Sequence, residues 1–216
     1  MNRVDIVIDI ETLSLINTPV IVQFSGVAFD IKTGNILDQF DYHIDFEEQI
    51  ENTLENKSLL NKYNVKYDES KLGIYDFFTI SENTLDFWSK QPKDIRDKVL
   101  YHSDRIKIKE ALNKFESFIN KYIKENEVYC WSNGLIYDIN MIARLYEKFS
   151  GNLFDFPIFH TKLRDVRTIV DVASMKENIT YKEFLNKVKG YNHDALSDSI
   201  YEAKIMHEAY KTLIEK

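Results

Sequence analysis

Val4-Asp5-Ile6-Val7-Ile8-Asp9-Ile10, followed at once by Glu11, is a run of β-branched residues too short for a helix and too apolar for a surface loop. It reads as a buried strand. On a strand, residues i and i+2 project from one face, so Asp9 and Glu11 stand side by side at its end. Two carboxylates this close repel each other, and burial forces a proton onto one of them unless water or a shared cation intervenes. A solvated strand end is the plain explanation for a lone Asp-x-Glu. A divalent ion held by oxygen ligands is the chemical one.

Working outward, Pro19–Phe29 is a second apolar run and Ile36–Phe46 alternates like a third. The intervening Asp30–Asn35 contains Thr33-Gly34-Asn35, which supplies the turn of a hairpin. Residues 47–80 are polar and are expected to be an insertion or an ordered surface loop. Helices are expected over Ser81–Gln91, Ile106–Ile123, Asp138–Phe149, Val166–Ala173 and Tyr181–Lys187. A last one follows Asp194, with Leu196, Ile200, Ala203, Met206, Tyr210 and Leu213 as its apolar stripe. Short strands are expected at Val128–Trp131 and Ile158–Leu163, and Asp165 is placed to cap the helix after it. Strands first and then alternating helices and strands give an α/β layout with a mixed sheet.

The chain of 216 residues, 44% hydrophobic and 13% aromatic, has material for one domain with elaborations, expected to span 1–216 with a variable insertion at about 47–80. No stretch reaches the roughly 18 apolar residues of a membrane span. The opening Met-Asn-Arg-Val-Asp lacks a signal-peptide layout, and Cys130 alone forms no internal disulfide, so a cytoplasmic setting in a bacterium or a phage-infected host is expected. A net charge of −7 argues against a general nucleic-acid binder, which is normally basic, unless bound cations bring positive charge to the site.

Two further segments bear on that exception. Trp131-Ser132-Asn133-Gly134-Leu135-Ile136-Tyr137-Asp138 runs from strand end through glycine to a carboxylate in the first helical turn, where open α/β sheets gather their sites. His193-Asp194-Ala195-Leu196-Ser197-Asp198 places an imidazole before a helix and a carboxylate in its first turn. Each has an ordinary structural explanation: a turn with a surface Asp, and a capped helix beside a loop histidine. An all-helical phosphohydrolase built on His193-Asp194 fits poorly, because the chain opens with strands and His43, His102, His160 and His207 lack matching spacing.

In this order, Asp-x-Glu on the first strand, Asp after the fourth strand and His-x4-Asp at the last helix resemble the DEDD exonucleases, in their histidine-bearing DnaQ-like branch. Thr84–Gln91, Asn133–Asp138, Arg164–Thr168 and Asn192–Asp198 match as well, nearest to the exonuclease A type of T-even phages and related bacterial exoribonuclease-like domains. The resemblance implies a ribonuclease H-like fold, with a five-stranded sheet of three antiparallel strands and then parallel ones. It implies that Asp9, Glu11, Asp138 and Asp198 hold two Mg²⁺ or Mn²⁺ ions and that His193 is the general base. The activity implied is 3′→5′ hydrolysis of a nucleic acid with a free 3′ end, releasing nucleoside 5′-monophosphates. DNA is the first expectation and RNA the alternative. Thr12, Leu13, Trp88, Gln91, Asn133, Arg164 and Arg167 are candidate substrate contacts, Leu13 as a wedge and Trp88 as a stacking surface. Core packing for Trp88 and an ion pair for one arginine are equal alternatives. A non-catalytic binding module on this fold, or a phosphohydrolase of free nucleotides, are the competing functions.

Overall fold

In the computed structural model, which describes residues 2–73, 75–190 and 192–214, the opening run forms β1 (Asn2–Thr12). Ile6, Val7 and Ile8 are all fully buried, so both faces of this strand are covered. It lies mid-sheet for that reason. The remaining strands of its sheet are β3 (Ile21–Phe29), β4 (Ile36–His43), β6 (Asn126–Ser132) and β7 (Leu163–Asp165), with β2 (Thr18–Pro19) and β5 (Phe78–Thr79) forming a separate parallel pair. The five-stranded order is β4-β3-β1-β6-β7. Its first strands are antiparallel and its last ones parallel, as a ribonuclease H-like fold requires. β6 runs parallel to β1 with Val7 opposite Trp131, and β7 parallel to β6 with Ser132 opposite Asp165.

The β3–β4 turn closes through Asp30 N–H to Asn35 O (3.0 Å) and Gly34 N–H to Asp30 O (2.8 Å). Gly34 sits at φ 74°, open to glycine at little cost. The expected third strand ends sooner than its pattern suggests, at His43 rather than Phe46. The expected strand at Ile158–Leu163 is instead a one-turn 3-10 helix over His160–Lys162 leading into β7.

The helices are α1 (Leu54–Lys62), α2 (Glu82–Lys90), α3 (Lys93–Leu100), α4 (Ile108–Ile123), α5 (Asp138–Ser150), α6 (Val166–Glu177), α7 (Tyr181–Leu185) and α8 (Ala195–Ile214). Residues 47–80 are more than a surface loop. They contain α1, capped by the Thr53 hydroxyl on Asn56 N–H, two short 3-10 turns and β5. Gln49 is fully buried and exchanges two hydrogen bonds with the Ile21 backbone (2.9 and 2.7 Å), and buried Glu47 pairs with Arg105 at 2.7 Å.

Contacts gather the chain into two compact units, with the division falling inside β1, β3 and β4. One comprises 1–9, 25–41 and 115–216, and its core joins Val7, Val27, Phe29 and Trp131 to Val166, Val170 and Ala173 of α6 and to Ile205, Met206 and Ala209 of α8. The other comprises 10–24 and 42–114 and buries Leu13, Phe24, Phe46, Leu85 and Trp88. Among the described residues no helix is long and apolar enough to cross a membrane.

Candidate active site

Val7 faces the α6–α8 core, and strand alternation puts Asp9 and Glu11 on that same side of β1. Both are half-buried. From α8, Asp198 is 1% exposed. Its two oxygens accept hydrogen bonds from the backbone N–H groups of Asn192 (2.9 Å) and His193 (3.0 Å). This clamp explains the His-x4-Asp spacing: one carboxylate folds the preceding loop back over the helix start. Asp194 caps α8 as expected, accepting from Ser197 N–H at 3.0 Å. Loop residue Tyr191 lies outside the described residues. His193 takes up a left-handed backbone (φ 58°), a region that a non-glycine residue enters only when its surroundings hold it there.

Within the first of the two units, His193 and Asp198 each offer a ligand atom, and these atoms lie within 4.8 Å of each other. Burial pushes the Asp198 carboxyl up to about 6, against the pull of its backbone hydrogen bonds. Burial also pulls the His193 imidazole below its ordinary value, so the ring is neutral near pH 7. A buried carboxylate beside a neutral imidazole offers donors that a divalent cation accepts.

Asp138 is the first residue of α5 and is buried, a position at which the helix dipole favours a carboxylate. The chain reaches it through Gly134, at φ 117°, over which the Arg167 guanidinium lies. A Cβ there would sit 3.3 Å from that group. Arg167 also donates through Nε to Asn133 Oδ1 at 3.1 Å, so these two candidates are brought together. Asp165 ties the elements by accepting from Leu135 N–H (3.0 Å) and capping α6 at Arg167 N–H (2.8 Å).

The other candidates are placed differently. Arg164 donates to the carbonyls of Thr161 and Leu163 (both 2.8 Å) and lies 4.8 Å over the Tyr129 ring, which is a structural role. Leu13 is fully buried, so its side chain packs the core and presents no wedge. The exposed apolar residues of that loop are Leu15 and Ile16. Trp88 is likewise buried, and its indole donates to Thr12 O at 2.8 Å, which leaves no face open for stacking. The Thr12 hydroxyl donates to Ser14 O (2.6 Å), and the Gln91 amide to Phe87 O (3.3 Å). A cavity of about 480 Å³ between α5 and the segment before β7, lined by Ile139, Phe156, Ile158 and Phe159 among others, shares no residue with the acidic group.

One residue near the acidic group escaped the sequence reading. Glu202, one helical turn past Asp198, is 1% exposed. Burial, with the charges of Asp138 and Asp198, drives its carboxyl well above the usual range. A glutamate four residues after a candidate ligand, inside an otherwise apolar stripe, was the available signal.

The sequence profile of the family described as "3'-5' exoribonuclease Rv2179c-like domain" matches residues 4–210. No curated protein matches. Among solved structures, the nuclease domain of 3'hExo, described as a DEDDh family member bound to rAMP, shares 15% identity over 96% of this chain and 92% of that one, at TM-score 0.57. Cell-death related nuclease 4 (CRN-4) shares 17% over 96% of this chain and 64% of that one, at 0.59. The E. coli ExoI–ssDNA complex shares 10% over 99% of this chain and 41% of that one, at 0.61.

Proposed function

The chain belongs to the 3'-5' exoribonuclease Rv2179c-like family, of DEDDh exonuclease type, and from that premise we propose that it is a divalent-metal-dependent 3′→5′ exonuclease acting on RNA. The observation that carries the metal reading is the approach of His193 to the buried Asp198 within 4.8 Å, in the unit that also contains Asp9 and Asp138. In this reading Asp9, Glu11, Asp138 and Asp198 hold the Mg²⁺ or Mn²⁺ ions. Bound there, divalent ions would supply Lewis-acid chemistry, lowering the pKa of an attacking water and neutralising charge on the leaving 3′ oxygen. His193, neutral near pH 7, accepts the proton of that water. Arg167, held by Asn133 and exposed beside Gly134, meets a backbone phosphate of the 3′-terminal nucleotides. The products are nucleoside 5′-monophosphates.

The sequence alone placed DNA first. The family's description as exoribonuclease and the rAMP bound by 3'hExo favour RNA, while the ssDNA bound by ExoI keeps DNA as the second reading. The test incubates 5′-labelled RNA and DNA oligonucleotides with Mg²⁺ or Mn²⁺, with EDTA and Asp9→Ala as controls. The expected result is a ladder shortening from the 3′ end, faster on RNA, and absent from both controls. Digestion that persists in EDTA rules out the metal reading, and faster loss of DNA reverses the substrate.

A further inference from the structure

The carboxylate of Glu202 is the least reconciled group in this unit. It lies on the buried face of α8, in line with Asp198, and neither of its oxygens reaches a donor at hydrogen-bonding geometry among the described residues. A buried carboxylate without a counter-charge either weakens the fold or is driven to take up a proton. Such a group survives where an opposite charge arrives from elsewhere. Asp138 and Asp198 both face it and make its burial as an anion worse. Asn133 and Arg167 ease it. Arg167 is a weak counter-charge, however, because it is exposed to solvent and already committed to Asn133 Oδ1.

We propose that Glu202 belongs to the metal centre as an outer acidic residue, a buried charge balanced by the cation that Asp138 and Asp198 hold. The inference rests on the metal reading given above. Groups behind the direct ligands orient them and tune affinity, and their removal commonly weakens metal binding about 10–100-fold. In the absence of metal, Glu202 is a burden to the fold. With metal bound, it adds negative potential from the side of the site away from solvent.

The experiment needs no turnover. Mn²⁺ affinity is measured by calorimetry, and thermal midpoints with and without Mn²⁺, on the full chain and on Glu202→Gln, which keeps the shape and removes the charge. The expected pattern is a metal-free variant at least as stable as the natural chain, with Mn²⁺ affinity lower by about 10–100-fold. Unchanged Mn²⁺ affinity overturns the proposal. So does a variant that unfolds without metal, since that makes the charge structurally necessary. If Arg167 is the true counter-ion, Arg167→Met destabilises the metal-free chain and adding Glu202→Gln restores it, which also overturns the proposal. A natural chain that takes up no Mn²⁺ instead removes the underlying metal reading, so the two failures are distinguishable.

Discussion

His193 combines a strained backbone with a ring whose proton affinity is lowered by burial. The loop can hold φ 58° because Asp198 fixes the N–H groups of Asn192 and His193 leading into the bend. Asparagine also tolerates this region, so His193→Asn is expected to keep the thermal midpoint while kcat falls by about 10²–10⁴, the usual contribution of a positioned general base. Denaturation curves and single-turnover rates on labelled RNA check both halves, and a variant with a near-natural rate removes His193 from the mechanism. The pH dependence has a definite sign. The imidazole acts when deprotonated and its pKa lies below 6.5, and neighbouring cations push it lower still. The acid limb of kcat/KM is therefore expected below pH 6.5. Asp198 goes the other way. Its pKa is raised from 3.8 to about 6, so the metal-free fold has its full contribution below pH 3.8 and loses it as pH rises through 6. That loss is up to about 3 kcal/mol. Because the ion binds the deprotonated form, the rise in thermal midpoint caused by Mn²⁺ is expected to grow between pH 4 and 7. A Mn²⁺ effect independent of pH over that range contradicts this account of Asp198.

At the scale of elements, α8 shows how far hydrophobic periodicity carries. The sequence stripe through Leu196, Ile200, Ala203 and Met206 located the helix, but its most buried line runs through Asp198, Glu202, Ile205 and Ala209. Two carboxylates on that line defeat a count of apolar residues, because their burial follows from the site and not from packing. β1, the hairpin, α4 and the caps at Asp165 and Asp194 were legible because local chemistry determines them. The order in residues 47–80 was not legible, since it comes from a distant backbone. Gln49 reads as one more polar residue until its amide meets both backbone groups of Ile21. Trp88 and Leu13 misled in the opposite sense: matching segments suggested contact with substrate, while burial assigns them to the core. A stability prediction belongs here. Gln49→Ala strands the Ile21 N–H and C=O in a fully buried setting, at about 1–3 kcal/mol for each. The urea midpoint should drop accordingly, with the slope unchanged. A midpoint equal to that of the natural chain shows that other partners replace the amide.

Over the whole molecule, the net charge of −7 sets how nucleic acid is bound. An acidic chain repels phosphate on approach. Arg167 is a cationic side chain that structure and sequence both bring to the edge of the site. Affinity must then come largely through the divalent ions. Fluorescence anisotropy on a short single-stranded RNA, with His193→Asn to prevent digestion, is expected to show binding in Mg²⁺ that collapses in EDTA. Salt dependence separates the ions' share from that of the side chains. For single strands, log K falls with log salt by about 0.7 for each phosphate neutralised by Lys or Arg. A shallow slope is expected when the ions carry most of the affinity, and Arg167→Met should lower it by about 0.7. A steep slope that survives both EDTA and this substitution points instead to a basic surface elsewhere. In that case the acidic composition conceals an uneven charge distribution, and the phosphate backbone is gripped at a distance from the carboxylates.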